Sequence, residues 1–484
     1  MKSLYKILLG WISLFIITGC STDKLDLYPE TQLTEGNFYT SEADFVQATN
    51  DIYRQLGRIY TGGGLPDLFG ELFSDNVYVK FSSGANAFPE EINKHRILTN
   101  NGRIQEAWET AYNAIYVCNN IIKQLDETSV VFAEPTTKDQ LKAQTLVVRA
   151  LIYYNLVQAF GAVPFPLTVV TPDESYAYLR ENTEVILTQL TSDLSFAKDK
   201  LPESYSGVDV GRLTSYAASA MLAKVYLLDG KQSDAVQELQ RIVTSGKYSL
   251  DANNDGRIDQ ADYAFLFAAN TKNSKESILE VQYLAGQNQV NSNHQAYYAP
   301  YYFSFHLPNS TETFRGEGMN TPADDLIDEY EDNDPRKNLS LQLGYTDLQS
   351  NQFVDYPYTI KFYDPNWRYP GQNVEIIRYA DILLLLAEVT GDVAYLNQVR
   401  ERVGLPRFGE NGYPTKYGSL ALAIEHERRI ELAFEFHRFF DLVRTGRAVE
   451  VFKSKGLYIA ENQLVFPIPQ HAIDVNPGLT QNDY

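Results

Sequence analysis

Over most of the first half of the chain, apolar residues recur every three to four positions. In "SEADFVQATNDIYRQLGRIY", Phe45, Ala48, Ile52 and Leu56 share one stripe, and Ser41 stands where a helix N-cap belongs. "RIQEAWETAYNAIYVCNNIIKQLDE" repeats the pattern with Ile104, Trp108, Tyr112, Ile115 and Ile122. "DQLKAQTLVVRALIYYNLVQAFG" is apolar nearly all round, which predicts an internal helix that stops at Gly161, with Pro164 just beyond. Three further helical segments follow at the spacing of helix-turn-helix repeats. The run Ala220, Leu222, Ala223, Tyr226 resembles a tetratricopeptide-type unit, in which small residues let a partner helix approach closely.

Near residue 247 the pattern changes. Gly, Asn, Pro and Tyr become dense, the helical stripes vanish, and short β-prone pieces such as "SILEVQY" take their place. Long irregular regions are either functional or disordered, and so many aromatics argue against disorder. Helical periodicity returns with "VEIIRYADILLLLAEVTG" and runs on through "SLALAIEHERRIELAFEFHRFFDLVRTGRA". The fold class expected is therefore mainly α: a tetratricopeptide-like helical-pair scaffold over residues 36–246 and 374–450. It carries a large irregular, loop-rich insertion with short strands over 247–373. A length of 484 residues would suggest about three domains. No linker or compositional break divides the chain, so residues 20–484 read as one domain.

The first residues concern location. Lys2 and Lys6 precede an apolar stretch from Ile7 to Thr18, too short to span a bilayer, and the run closes on Ile17-Thr18-Gly19-Cys20. Residues 1–19 read as a lipoprotein signal peptide, with Cys20 acylated as the mature N-terminus and the body tethered to the outer membrane. Formal charge is -21, and losing the signal removes two lysines and no acid, which leaves about -23. Such a body does not suit nucleic acid, whose phosphates require Lys and Arg clusters. After cleavage Cys118 is the remaining thiol. It lies in an apolar helical pattern and reads as a small core residue.

No catalytic constellation stands out. "EHERRIE" has a zincin look, but Ile430 stands where the second histidine would be needed. There is no G-x-S-x-G, no P-loop and no dinucleotide fingerprint. Glycosidase chemistry needs only two carboxylates, and nothing singles out a pair. Glu427, Glu431 and Glu435, interleaved with Arg428, Arg438, Arg444 and Arg447, read as ion pairs on one half-buried helix from Ile424 to Arg447.

"DANNDGRIDQAD" is more specific. Asp251, Asn253, Asp255, Arg257 (through its carbonyl), Asp259 and Asp262 follow the order of an EF-hand loop, with Gly256 at its sharp turn. Asp262 replaces the usual bidentate Glu. The readings are a structural Ca²⁺ or a polar turn without metal. Three aromatic stretches come next, in a chain with 34 Tyr. They supply Tyr78, Phe81 and Asn86, then Tyr298, Tyr301 and Tyr302, then Asn366, Trp367, Arg368 and Tyr369. Rings beside amide and guanidinium groups suit a sugar, which offers a C–H face and paired hydroxyls. Alternatively some of them pack a second core. Trp367, between Asn366 and Arg368, is the ring expected to be exposed.

The chain resembles the SusD/RagB family along essentially all of its mature length. The resemblance rests on "LTEGNFYTSEADFVQATNDIY", "ELFSDNVY", "VVRALIYYNLVQAFGAVPF", "IIRYADILLLLAEV", "IEHERRIELAFEFHRFFDLVRTGR" and "FPIPQHAIDVNPGLTQN". It implies an α-helical fold with tetratricopeptide-like pairs and a surface lipoprotein without catalytic activity. Such a lipoprotein passes an oligosaccharide, or in some members a peptide, to a SusC-like TonB-dependent barrel. Binding residues in this family lie on variable loops, so neither the aromatic positions nor the calcium loop is inherited. Two alternatives of another class are a lipid-anchored glycoside hydrolase and a purely structural lid on the transporter.

Overall fold

The computed structural model describes residues 38–80, 87–301, 305–306, 313–314, 316–347 and 350–484. Residues 1–19, read above as a signal peptide, and Cys20 lie outside them. The first half is helical as the periodicity predicts. Helix α1 (Glu42–Ile59) begins at Ser41, whose amide donates to the Asp44 carboxylate at 2.7 Å, and it buries Phe45, Ala48, Ile52 and Leu56. In α2 (Gly102–Glu127) the Asn101 side chain caps the amides of Arg103 and Ile104, and Trp108 and Cys118 are buried. Helix α3 (Thr137–Phe160) is buried along most of its length and ends at Gly161. Next come α4 (Thr183–Lys200), α5 (Ser215–Leu228) and α6 (Gln232–Thr244), each packed on its predecessor. Ala217, Ala218, Ala220 and Ala223 are fully buried on α5, and this small-residue surface lets α4 and α6 close on it.

The middle region is built from short antiparallel pairs: β1 (Val77–Tyr78) with β3 (Thr321–Pro322), β2 (Ser277–Val281) with β6 (Val374–Arg378), and β4 (Leu341–Thr346) with β5 (Phe353–Thr359). Among the described residues no sheet exceeds two strands. The chain then returns to helices α7 (Tyr379–Thr390), α8 (Val393–Arg402), α9 (Leu420–Glu431) and α10 (Arg438–Arg444). Every residue of α7 from Ile382 to Ala387 is at or below 1 % exposure, so this helix sits in the centre of the core.

The single helix expected from Ile424 to Arg447 is two helices. The chain breaks between α9 and α10, where Phe434 and Phe436 both take φ of 68°. Bulky side chains rarely adopt that left-handed conformation, which costs on the order of 1–3 kcal/mol for each residue. What holds it is Glu71, on a turn of π-helix (Asp67–Leu72). Its carboxylate accepts the Phe434 amide at 3.2 Å and the Phe436 amide at 3.3 Å, two donors that a continuous helix would have used internally.

The carboxylates of α9 and of the break after it also differ from expectation. They do not pair along their own helix. Glu427, Glu431 and Glu435 meet Arg336, Lys361, Arg378, Arg400 and Arg402, which arrive from other segments, together with Asp334 and Glu276. Arg336 bonds Glu427 at 2.6 Å and Glu431 at 2.9 Å, and Glu431 also bonds Arg378 and Arg402. The cluster is buried and balanced, with five cations facing five carboxylates, and Glu331 adds a contact to Arg400 at its rim. Burial alone would raise the Glu431 carboxyl, but Arg402, Arg378 and Arg336 hold it well below the carboxylate range. This cluster joins the irregular region to the helical scaffold, because Lys361 and Arg378 flank the third aromatic stretch.

Candidate functional site

The three aromatic stretches, far apart in sequence, converge. Besides the main core there is a small second cluster of Ala299, Tyr345, Tyr356 and Tyr358, and Trp367 packs on its edge. Tyr301 reaches it through Gly318: a Cβ there would lie 2.5 Å from the Tyr356 hydroxyl and 3.2 Å from the Tyr301 Cβ. From the first stretch, Tyr78 lies on β1 near Asp324 and Asp355, and its burial, with these two carboxylates adding, raises its phenol above the usual range. Lys80 donates to the Asp355 carbonyl at 2.8 Å, and its ammonium sits 4.3 Å from the Tyr356 ring centroid.

The turn that presents Trp367 is shaped by one buried carboxylate. Asp364 accepts the Asn366 amide at 2.8 Å and the Gly371 amide at 2.7 Å, closing the loop between them. Asn366 and Arg368 are exposed on it, and Tyr369 is half-buried. The Arg368 guanidinium lies 5.2 Å from the Trp367 ring centroid. Trp367 is more covered than expected. It is half-buried because one side of its ring rests on the second cluster.

Tyr298 corrects the sequence reading. It is 2 % exposed, with its ring against His294 and Phe362 in the main core. The short helix His294–Tyr298 turns it inward, so it cannot stack on a ligand. Phe81, Asn86 and Tyr302 lie outside the described residues. The pattern also missed Phe353. It is 64 % exposed on β5, opposite Thr346, with its ring over Gly344. The signal was alternation: Phe353 and Asp355 point out while Val354 and Tyr356 turn toward the cluster.

The face that results offers half-exposed rings, an ammonium, a guanidinium and an amide within one surface region. A larger hollow elsewhere, of about 670 Å³, is lined by Arg428, Arg438, Arg444 and Arg447, but these guanidiniums are already bonded to Asp381, Asp441, Asp75, Glu388 and Glu425. Neutralised cations of this sort have little left for a ligand.

The loop from Asp251 to Asp262 supplies hard oxygen donors suited to Ca²⁺, but it turns most of them onto its own backbone. Asp251 accepts the amides of Asp255 (3.0 Å) and Gly256 (2.9 Å), and Asn253 accepts Asp255 (2.9 Å). Asp255 accepts Arg257, and Asp259 accepts Ala261. Asp262 accepts Asn253 (3.2 Å) and Asp259 (2.9 Å), one with each oxygen. Among the described residues no three His, Cys, Asp or Glu side chains are grouped to hold a metal ion. No helix there is long and apolar enough to cross a membrane.

The chain is similar to known proteins along its length. A family model described as the SusD family matches residues 191–484, and one described as starch-binding and associating with the outer membrane matches residues 25–227. The SusD-like protein P2 of Formosa agariphila is 27 % identical over 98 % of both chains. Among solved structures, a laminarin-binding SusD-like protein is 26 % identical with a TM-score of 0.76, covering 92 % of this chain and 99 % of its own. A surface glycan-binding protein A from Bacteroides thetaiotaomicron, solved with laminarihexaose, shares the fold at 22 % identity and a TM-score of 0.74, covering 92 % of this chain and all of its own. With the family model matched over more than half of its length, and with a helical scaffold, short paired strands and no closed sheet among the described residues, this chain belongs to the SusD family.

Proposed function

We propose that this chain is a non-catalytic receptor that captures an oligosaccharide on the face formed by Tyr78, Tyr301, Trp367 and Phe353. Its cargo then passes to a SusC-like TonB-dependent barrel in the outer membrane. The observation that carries this reading is the convergence of three distant aromatic stretches on one cluster, with Asn366 and Arg368 exposed beside it. Stacking rings contribute the affinity, and the amide and guanidinium fork neighbouring hydroxyls. The names of the relatives, which bind laminarin or surface glycans, support a glycan over a peptide. Tethering is through acylated Cys20, and acyl labelling lost on Cys20→Ala is its test.

Calorimetric titration of the mature chain carrying Cys20→Ala against a panel of oligosaccharides tests the capture. A ligand found in this way should bind about 5- to 150-fold more weakly to Trp367→Ala, since a stacked ring is worth roughly 1–3 kcal/mol. Binding to peptides with silence across the sugars would favour the peptide-capturing alternative. Turnover of the bound glycan would favour the hydrolase.

A further inference from the structure

A second hollow, of about 240 Å³, opens beside the aromatic face. The two share one piece of backbone. The segment 316–319 runs against 296–300, with the Glu317 amide donating to the Ala296 carbonyl at 2.9 Å and the Gly318 amide to Ala299 at 2.9 Å. Tyr301 stands at one end of this ladder and Tyr297 at the other. Around the hollow are Arg58, Arg103, Glu106, Asn293, Tyr297 and Glu317, with the glycine run Gly62-Gly63-Gly64 on one wall.

The hollow is polar at its mouth and neutral at its floor. Arg58, Glu106, Asn293 and Glu317 are exposed. Arg103 is held only loosely by Glu106, at 3.4 Å, and Arg58 and Glu317 make no ion pair among the described residues. Deeper in, Tyr297 is 4 % exposed, yet its hydroxyl has no hydrogen-bond partner among the described residues. A buried hydroxyl left unmatched is costly. The wall is shaped to admit this ring: a Cβ on Gly62 would meet the Tyr297 Cβ at 2.9 Å, and one on Gly63 would meet its hydroxyl at 2.8 Å. Gly63 also has φ of 81°, a conformation suited to glycine. Asn293 pins this wall, accepting the Thr61 hydroxyl and the Gly62 amide, both at 2.8 Å.

We infer that this hollow is a polar subsite for one uncharged sugar residue at the end of the chain held on the aromatic face, with the Tyr297 hydroxyl completing its hydrogen bonds on a sugar hydroxyl. The inference rests on the glycan reading above. Its volume falls below that of sites for larger ligands, which suits a single unit. Two guanidiniums and two carboxylates around the mouth supply donors and acceptors with no net charge, as a ring of hydroxyls requires. A zwitterion such as an amino acid fits less well, because the group that goes deepest meets a neutral floor where a charge would be poorly solvated.

The test uses the mature chain with Cys20→Ala and short neutral oligosaccharides drawn from glucans, mannans, xylans and galactans. Tyr297→Phe keeps the ring and removes the hydroxyl, and Glu317→Gln acts at the exposed mouth where folding is not at stake. Each should weaken binding of the recognised oligosaccharide about 3- to 10-fold, the loss of one or two hydrogen bonds, without lowering the melting temperature. If Trp367→Ala abolishes binding while both hollow variants bind as the parent does, the subsite is wrong and the aromatic-face reading stands. If the parent binds no oligosaccharide, both readings fall. If amino acids or dipeptides bind the parent and are lost in Glu317→Gln, the assignment to a sugar is overturned.

Discussion

Glu71 shows how one side chain governs a larger feature. It is fully buried, and its two oxygens hold the amides of Phe434 and Phe436 in a conformation those residues would otherwise avoid. Burial is the main influence on its carboxyl and pushes it up to about 8, with the nearby Asp67 adding and the Asn76 side chain and the two amides opposing. Asp67 is itself pushed up to about 6, chiefly by burial. A carboxyl raised in the folded state binds more protons there than in the unfolded chain. It therefore favours folding at low pH, and that contribution is lost as pH rises through the folded value. Stability should thus fall between about pH 5 and pH 8. Glu71→Gln, which keeps an acceptor and removes the charge, should flatten this slope and unfold at higher denaturant at pH 8. Equal slopes in both proteins by urea titration at several pH values would refute the account.

At the scale of elements, the loop from Asp251 to Asp262 and the turn from Asp364 to Gly371 use the same device, a carboxylate closing the chain through backbone amides. In the second, Asp364 lifts Trp367, Asn366 and Arg368 to the surface. The first is closed on itself: both Asp262 oxygens are engaged by amides that a cation would have to displace, and Asp at the twelfth position is shorter than the Glu a calcium loop uses. Adding calcium to chelator-treated protein should therefore leave its melting temperature unchanged. A rise with calcium that Asp251→Ala removes would show instead that the loop opens to bind the ion.

For the whole molecule, the buried ion cluster decides whether the loop-rich region stays docked on the helices. Glu431 touches Arg336, Arg378 and Arg402 at once. Glu431→Gln would leave five buried cations facing four carboxylates, and breaking such a cluster on one side costs about 3–5 kcal/mol. Thermal or urea unfolding should register that loss, while a substitution at the exposed Glu410 should not. The cluster also sets the acid limit. Burial works to raise Glu431 and Glu435, but the surrounding guanidiniums and Lys361 lower both. Carboxyls depressed in this way stabilise the fold above their unfolded values and release that stability as pH falls below about 4. An acid transition unaltered by Glu431→Gln would argue against this.

Period and composition were enough to determine the helices, because a stripe such as Phe45, Ala48, Ile52 and Leu56 needs only one buried side and local capping to form. The buried Cys118 and the irregular character of the middle region were legible for the same reason. The break at Phe434 was not, since the periodicity runs straight through it and Glu71, which holds it, lies more than 360 residues away. Likewise, sequence pointed to Tyr298 and Trp367 alike as ligand rings, while backbone direction interred one and left the other half-covered. Which rings face water, and whether distant loops share one surface, depends on contacts between segments with no local trace. Only the tertiary structure decided those points.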